Sequence, residues 1–158
     1  MVMKKFIIFT LLLANILFSF NKDLLILESK LYPKLFMLID DYDKKSILNI
    51  AIYSDKNEKA RFIKKLYTSD KLNAVITKKI DKSFDVILLT RKIDNKTLNN
   101  LLKLKKPIFT TEKNNVDYSM FGIYIGVRIY PYLNPYLIKK ANLKLNPIIF
   151  KVAKIYEK

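Results

Sequence analysis

Residues 85–90 read DVILLT, four consecutive large apolar residues closed by a polar residue at each end. A run this short has the length of a strand, and bulky apolar residues at successive positions leave neither face of that strand for water. Such a strand must be covered on both sides, the condition of an inner strand in a mostly parallel sheet flanked by helices. An antiparallel sheet with one wet face would alternate apolar and polar residues there instead. This stretch therefore narrows the chain to a layered α/β fold.

The neighbouring stretches supply the other elements. Leu48–Tyr53 reads as a strand, with Leu48, Ile50 and Ile52 alternating with Asn49, Ala51 and Tyr53. Asp55 and Glu58 have the spacing of a capping box, and Ala60, Phe62, Ile63, Leu66 and Tyr67 form the apolar stripe of the helix that follows. Residues 74–77 read as a short second strand and 107–111 as a fourth. Asp94 or Asn95 caps a helix that turns Leu98, Leu101 and Leu102 inward. Upstream, residues 24–39 read as a helix with Leu27, Leu31, Leu35 and Leu38 on one face and a kink at Pro33.

Residues 121–130 alternate apolar positions with Gly122, Tyr124, Gly126, Arg128 and Tyr130, and fit either one long strand or a hairpin turning near Gly126. Two copies of Leu-Asn-Pro follow, at 133–135 and 145–147. Asn is a favoured N-cap and Pro a favoured first helical residue, so Asn134 and Asn146 each start a helix. The second helix would bury Ile148, Ile149, Val152, Ala153 and Tyr156. The order predicts a single three-layer sandwich of flavodoxin-like or Rossmann-like type over residues 21–158. Its sheet is mostly parallel, with the last strand or hairpin at an edge and antiparallel.

Lys4 and Lys5 precede a nearly unbroken apolar run from Phe6 to Phe20, fifteen residues long. That is short for a membrane span of ~20 residues and suits the core of a secretory signal peptide. Residues 1–20 are read as a signal peptide, with an uncleaved anchor as the alternative. Both place the remaining chain outside the cytoplasm, in the periplasm. The chain has no cysteine, so it has no lipidation site and no disulfide, and the core alone must hold the domain.

A net charge of +16 invites a nucleic-acid reading, but of thirty basic residues only Arg61, Arg91 and Arg128 are arginine. Arginine is the residue that reads phosphates and bases with two donors at once. Lysines spread along the chain fit solvated faces better, and contact with an anionic membrane surface is the interaction the charge favours. No nucleic-acid partner is expected.

The chain has no histidine either. Without imidazole or thiol, the common nucleophile–base pairs and zinc sites cannot be built. Asp40, Asp41 and Asp43 lie close together but lack the glycine and glutamate of a calcium loop. Ser19 and Lys22 match Ser-x-x-Lys only by letter, at the expected cleavage region. No glycine-rich phosphate loop is present. The expectation is a binding protein and not an enzyme, with no catalytic residue, cofactor or metal.

Open α/β sheets bind ligands outside the carboxyl ends of their strands. Those ends supply Tyr53, Ser54 and Asp55, then Thr90 and Arg91, then Thr110, Thr111 and Glu112, the candidate ligand or partner face. Each of them also reads, singly, as a helix cap or loop residue. Tyr118, Tyr124, Tyr130, Tyr132 and Tyr136 gather towards the C-terminal edge and fit an interface as well as a core margin.

DVILLT (85–90), PIFTT (107–111), the stretch GIYIGVRIYPYLNPYLIKKANLKLNPIIFKVAKIY (122–156) and the helix LESKLYPKLFML (27–38) together resemble the YfiR-like family of small periplasmic proteins. The resemblance covers most of residues 21–158 as patterns rather than strict motifs. It implies an exported α/β domain that regulates by contact. Members bind the outer portion of an inner-membrane diguanylate cyclase and hold it inactive, which connects them to cyclic-di-GMP signalling. It also implies a homodimer as an option. The disulfides of those members have no counterpart here, and the hairpin is shorter, so redox control and dimer geometry do not carry over. The alternative is a single-lobe periplasmic protein for a small ligand.

Overall fold

The structure is a computed structural model that describes residues 21–39, 41–112 and 116–157. It has the expected α/β architecture. The elements, in chain order, are α1 (Lys22–Phe36), β1 (Leu48–Tyr53), α2 (Glu58–Leu66), β2 (Leu72–Thr77), β3 (Val86–Leu89), α3 (Asn95–Leu102) and β4 (Ile108–Thr110), followed by β5 (Phe121–Ile125), β6 (Ile129–Leu133), α4 (Pro135–Lys140), α5 (Ile149–Val152) and β7 (Lys154–Ile155). One seven-stranded sheet runs β2-β1-β3-β4-β5-β6-β7. Its neighbours are parallel except for the β5–β6 pair. The first five strands have the flavodoxin-like order.

All four residues of β3 are fully buried, as its unbroken apolar run requires. The chain leaves β1 for the outer β2 and leaves β3 in the other direction for β4. Right-handed crossovers therefore put α2 and α3 on opposite faces. Helix α1 packs with α2. On the other face α4 joins α3, where Lys140 Nζ donates to Asn99 Oδ1 at 2.9 Å.

An aromatic spine fixes α1 to the sheet. The Phe109 ring lies 4.9 Å from Tyr32, 4.8 Å from Phe36 and 4.5 Å from Phe121. At the opposite end from the strand tips, Asp85 ties the loop before β1 to the start of β3. Its carboxylate accepts from Lys45 Nζ at 2.5 Å and from the Asn49 N–H at 2.9 Å. The Tyr42 hydroxyl donates to the Asp85 carbonyl at 2.5 Å.

Several local expectations are corrected. The buried stripe of α1 is Leu25, Glu28, Tyr32, Leu35 and Phe36; of the expected Leu27, Leu31, Leu35 and Leu38 only Leu35 is fully buried, with Leu31 and Leu38 partly buried against the core. The rings of Tyr32 and Phe36 carry the larger apolar area, and their fit against Phe109 sets the rotation of the helix. Pro33 lies inside α1, which ends at Phe36. Helix α2 is capped by Asn57, whose Oδ1 accepts from the Ala60 N–H at 2.8 Å. Asp55 is not the cap, because its carboxylate is held by Lys78 and Arg91. Strand β2 starts at Leu72, two residues earlier than the apolar pattern placed it.

Residues 121–133 form a hairpin, with Ile125 opposite Ile129 and the loop Gly126-Val127-Arg128 between them. The first Asn-Pro behaves as expected. Asn134 Oδ1 accepts from the Leu137 N–H at 3.2 Å, Pro135 opens α4, and Asn142 takes a left-handed φ of 53° after it. The second does not. Asn146 accepts from the Ile148 N–H in a tight turn rather than capping a helix, and α5 is a single turn with Ile149 its only buried residue. The reason is competition from the sheet. Lys154 and Ile155 pair with Tyr132 and Leu133 as β7, and the Tyr156 N–H donates to the Leu133 carbonyl at 2.7 Å. Those backbone groups cannot also continue a helix.

Candidate functional site

The carboxyl ends of β1, β3 and β4 stand level, with Tyr53 opposite Leu89 and Leu89 opposite Thr110. Between β1 and β3 the strand order reverses and the connecting helices part to opposite faces, which makes this end of the sheet its topological switch point. The eight residues expected at the strand ends lie on this face, and their charged groups join in two clusters.

The outer cluster is exposed. Asp55 accepts from Lys78, and Arg91 Nη1 lies 3.4 Å from its other oxygen. The hydrogen bond from Lys78 holds the Asp55 carboxyl below the usual carboxylate range, with the charges of Lys78 and Arg91 adding to it. The inner cluster centres on Lys59 of α2, whose Nζ donates to the Thr90 carbonyl at 2.9 Å and to Glu112 Oε1 at 3.0 Å.

The hydroxyls of the strand ends are turned inward. Thr90 Oγ1 donates to the Tyr53 carbonyl at 3.3 Å, and Thr111 Oγ1 to the Leu89 carbonyl at 3.3 Å. Thr110 Oγ1 accepts from the Glu112 N–H at 3.0 Å, and the Thr110 carbonyl accepts from the Tyr32 hydroxyl at 2.5 Å. Ser54, Thr90, Thr110 and Thr111 are all buried. These residues lie beneath the strand-end face, while Asp55, Arg91, Glu112 and part of Tyr53 face solvent.

Sequence reasoning missed a strongly perturbed carboxyl. Glu28 of α1 is 1% exposed. Burial pushes its carboxyl up to about 8, against the attraction of Lys59 and with the charge of Glu112 adding to the rise. Neutral pH therefore leaves it largely protonated. Glu28 Oε2 and the Tyr67 hydroxyl have no hydrogen-bond partner among the described residues. A signal existed: Glu28 is three residues after Leu25 and four before Tyr32, on the stripe that packs. Lys59 left no comparable mark, since it lies in a charged stretch.

Grooves lie apart from the strand-end face. One of about 630 Å³ runs between α3 and α4 and is lined by Asn95, Asn99, Asp117, Tyr136, Lys140 and Tyr156 among others. The Tyr156 hydroxyl donates to Asp117 across it. Another, of about 590 Å³, opens near Asp41, Asp43, Lys44 and Lys144. Asp41 pairs there with Lys44 at 2.6 Å, while Asp40 lies outside the described residues. Among the described residues no three metal-ligating side chains gather.

The tyrosines divide. Tyr118 is buried, Tyr124, Tyr132 and Tyr156 interlock with successive ring centroids 5.6 Å apart, and Tyr130 and Tyr136 are exposed. No described helix is long and apolar enough to cross a membrane, and the expected export segment, residues 1–20, lies outside the described residues. No protein-family model matches the chain, and neither does any curated protein.

Proposed function

We propose that this chain is an exported regulatory protein that works by contact, docking its strand-end face on the outer portion of an inner-membrane sensor or cyclase. The periplasmic setting and the cyclase as partner rest on the apolar run Phe6–Phe20 and on the YfiR-like resemblance. The observation that carries contact over catalysis is the state of the strand-end groups. Asp55, Thr90, Thr110, Thr111 and Glu112 are each engaged by another group of the same chain. A rim of formed ion pairs over a floor of inward hydroxyls offers a partner fixed charges in fixed places. It offers a substrate no activated nucleophile.

Crosslinking in the native host, followed by mass spectrometry, tests this. A membrane-protein ectodomain is expected on the protein, with Asp55→Lys and Arg91→Glu reducing its capture while the fold persists. Recovery of the chain in the cytosol with residues 1–20 intact refutes export. Unchanged cyclic-di-GMP, motility and biofilm in a deletion strain refute the cyclase as partner.

A second reading has its own observation. The α3–α4 groove joins amide, carboxylate, ammonium and phenol groups in a volume suited to a small polar molecule. A metabolite that raises the melting temperature of the wild type, but not of Lys140→Ala or Tyr136→Ala, would favour the small-ligand protein.

A further inference from the structure

The sheet ends in an apolar, basic edge. Strand β5 meets β4 only through Phe121 and Phe109, so its later residues and their partners in β6 project past the end of β4. Val127 at the loop of this hairpin is fully exposed, with a relative area of 106%. Strand β7 covers only Tyr132 and Leu133 of β6, so the outer edge of β6 is uncovered from Ile129 to Pro131. Beside it, Tyr130 and Lys151, Val152, Ala153 and Lys154 line a groove of about 380 Å³. Ile129, Phe150 and Val152 are also exposed here, and monomeric proteins seldom leave such groups together without use.

Charge says what covers them. From Tyr118 to Tyr156 the chain has no Asp or Glu, while Arg128, Lys151 and Lys154 flank the exposed apolar residues. Lys154 Nζ lies 4.1 Å from the centre of the Tyr124 ring, in a group of tyrosines suited to a headgroup layer. Asp117 and Glu157 lie beside Tyr132 and Tyr156, at the end of this edge away from the hairpin loop. An apolar tip, an aromatic flank and the cations Arg128, Lys151 and Lys154 around the tip match an anionic lipid surface.

We infer that the β5–β6 loop and the α5–β7 edge form a docking surface for an anionic bilayer, with Val127 entering the headgroup–acyl boundary and Arg128, Lys151 and Lys154 facing lipid phosphates. This does not depend on the partner proposed above, because the strand-end face and this edge use different residues.

The chain has no tryptophan, so Val127→Trp in the full chain provides a single reporter. Val75→Trp, on the opposite edge strand β2, is the control. With vesicles of mixed phosphatidylglycerol and phosphatidylcholine, Trp fluorescence at 127 is expected to shift blue and to be quenched by brominated acyl chains. The control reporter should do neither, and phosphatidylcholine alone should leave both unchanged.

Each cation near such a surface multiplies affinity about fivefold, so Lys151→Gln with Lys154→Gln should weaken the response about 25-fold. Added salt should weaken it too. Far-UV circular dichroism confirms that the variants fold. A reporter at 127 that ignores anionic vesicles overturns the inference. So does one that responds equally without the lysines, as insertion driven by residues 6–20 would produce. A reporter that shifts with an acidic extended peptide and not with vesicles overturns it in favour of a protein strand.

Discussion

Glu28 gives the sharpest test of the packing described above. Its carboxyl is raised from 4.5 to about 8 by burial, with Lys59 partly opposing and Glu112 adding. A carboxyl raised by folding binds its proton more tightly in the native state than in the unfolded chain. That stability is fully present below the unfolded value of 4.5 and is lost as pH climbs to about 8. At 1.36 kcal/mol per unit the whole span approaches about 5 kcal/mol, and the interval from pH 6 to pH 8 accounts for about 2 kcal/mol. For a domain of this size that is a fall in Tm of roughly 5–10 °C.

The chain has no histidine to titrate in the same interval. Glu28→Gln keeps the volume and removes the ionisation. Urea unfolding of both proteins at pH 6, 7 and 8, followed by circular dichroism, should show the wild type losing stability while the variant stays level. The variant should be the more stable protein at pH 8. Parallel profiles for the two proteins would show that Glu28 ionises without penalty and that its burial has been misjudged.

Substitutions at four further positions probe the frame. Asn134→Ala removes the cap of α4 and the side-chain bond to the Val116 carbonyl at 2.8 Å, and should cost about 2–3 kcal/mol in urea unfolding. Asn146→Ala acts on an exposed turn and should cost at most about 0.5 kcal/mol, a contrast that tests whether the two Asn-Pro copies are alike. Gly122→Ala would set a Cβ 2.5 Å from Val116 Cγ1 in a packed region, so an overpacking loss of about 1–3 kcal/mol should appear as a lowered Tm. Asp85→Ala strips the Asn49 N–H and Lys45 of their acceptor and should cost about 2–3 kcal/mol by the same assay, with Asp85→Asn milder.

What could be read from the sequence is what local chemistry dictates. The DVILLT run had to be a strand covered on both faces, because no arrangement with a wet face accommodates four adjacent bulky apolar residues. The strand-end residues followed from the α/β order, since every parallel strand delivers its last residues to one end of the sheet. Asn134-Pro135 opened a helix because its signal needs only its own next three residues.

Tertiary structure decided the matters in which distant groups compete. Two apolar stripes were open to α1, and contact of Tyr32 and Phe36 with Phe109 selected the one that buries Glu28. Asp55 could have capped α2, but Lys78 and Arg91, remote in sequence, claimed its carboxylate. Asn146-Pro147 carries the same tripeptide as its twin, yet the vacant edge of β6 drew the following residues into the sheet. In each case a contact from a distant part of the chain overrode the local signal.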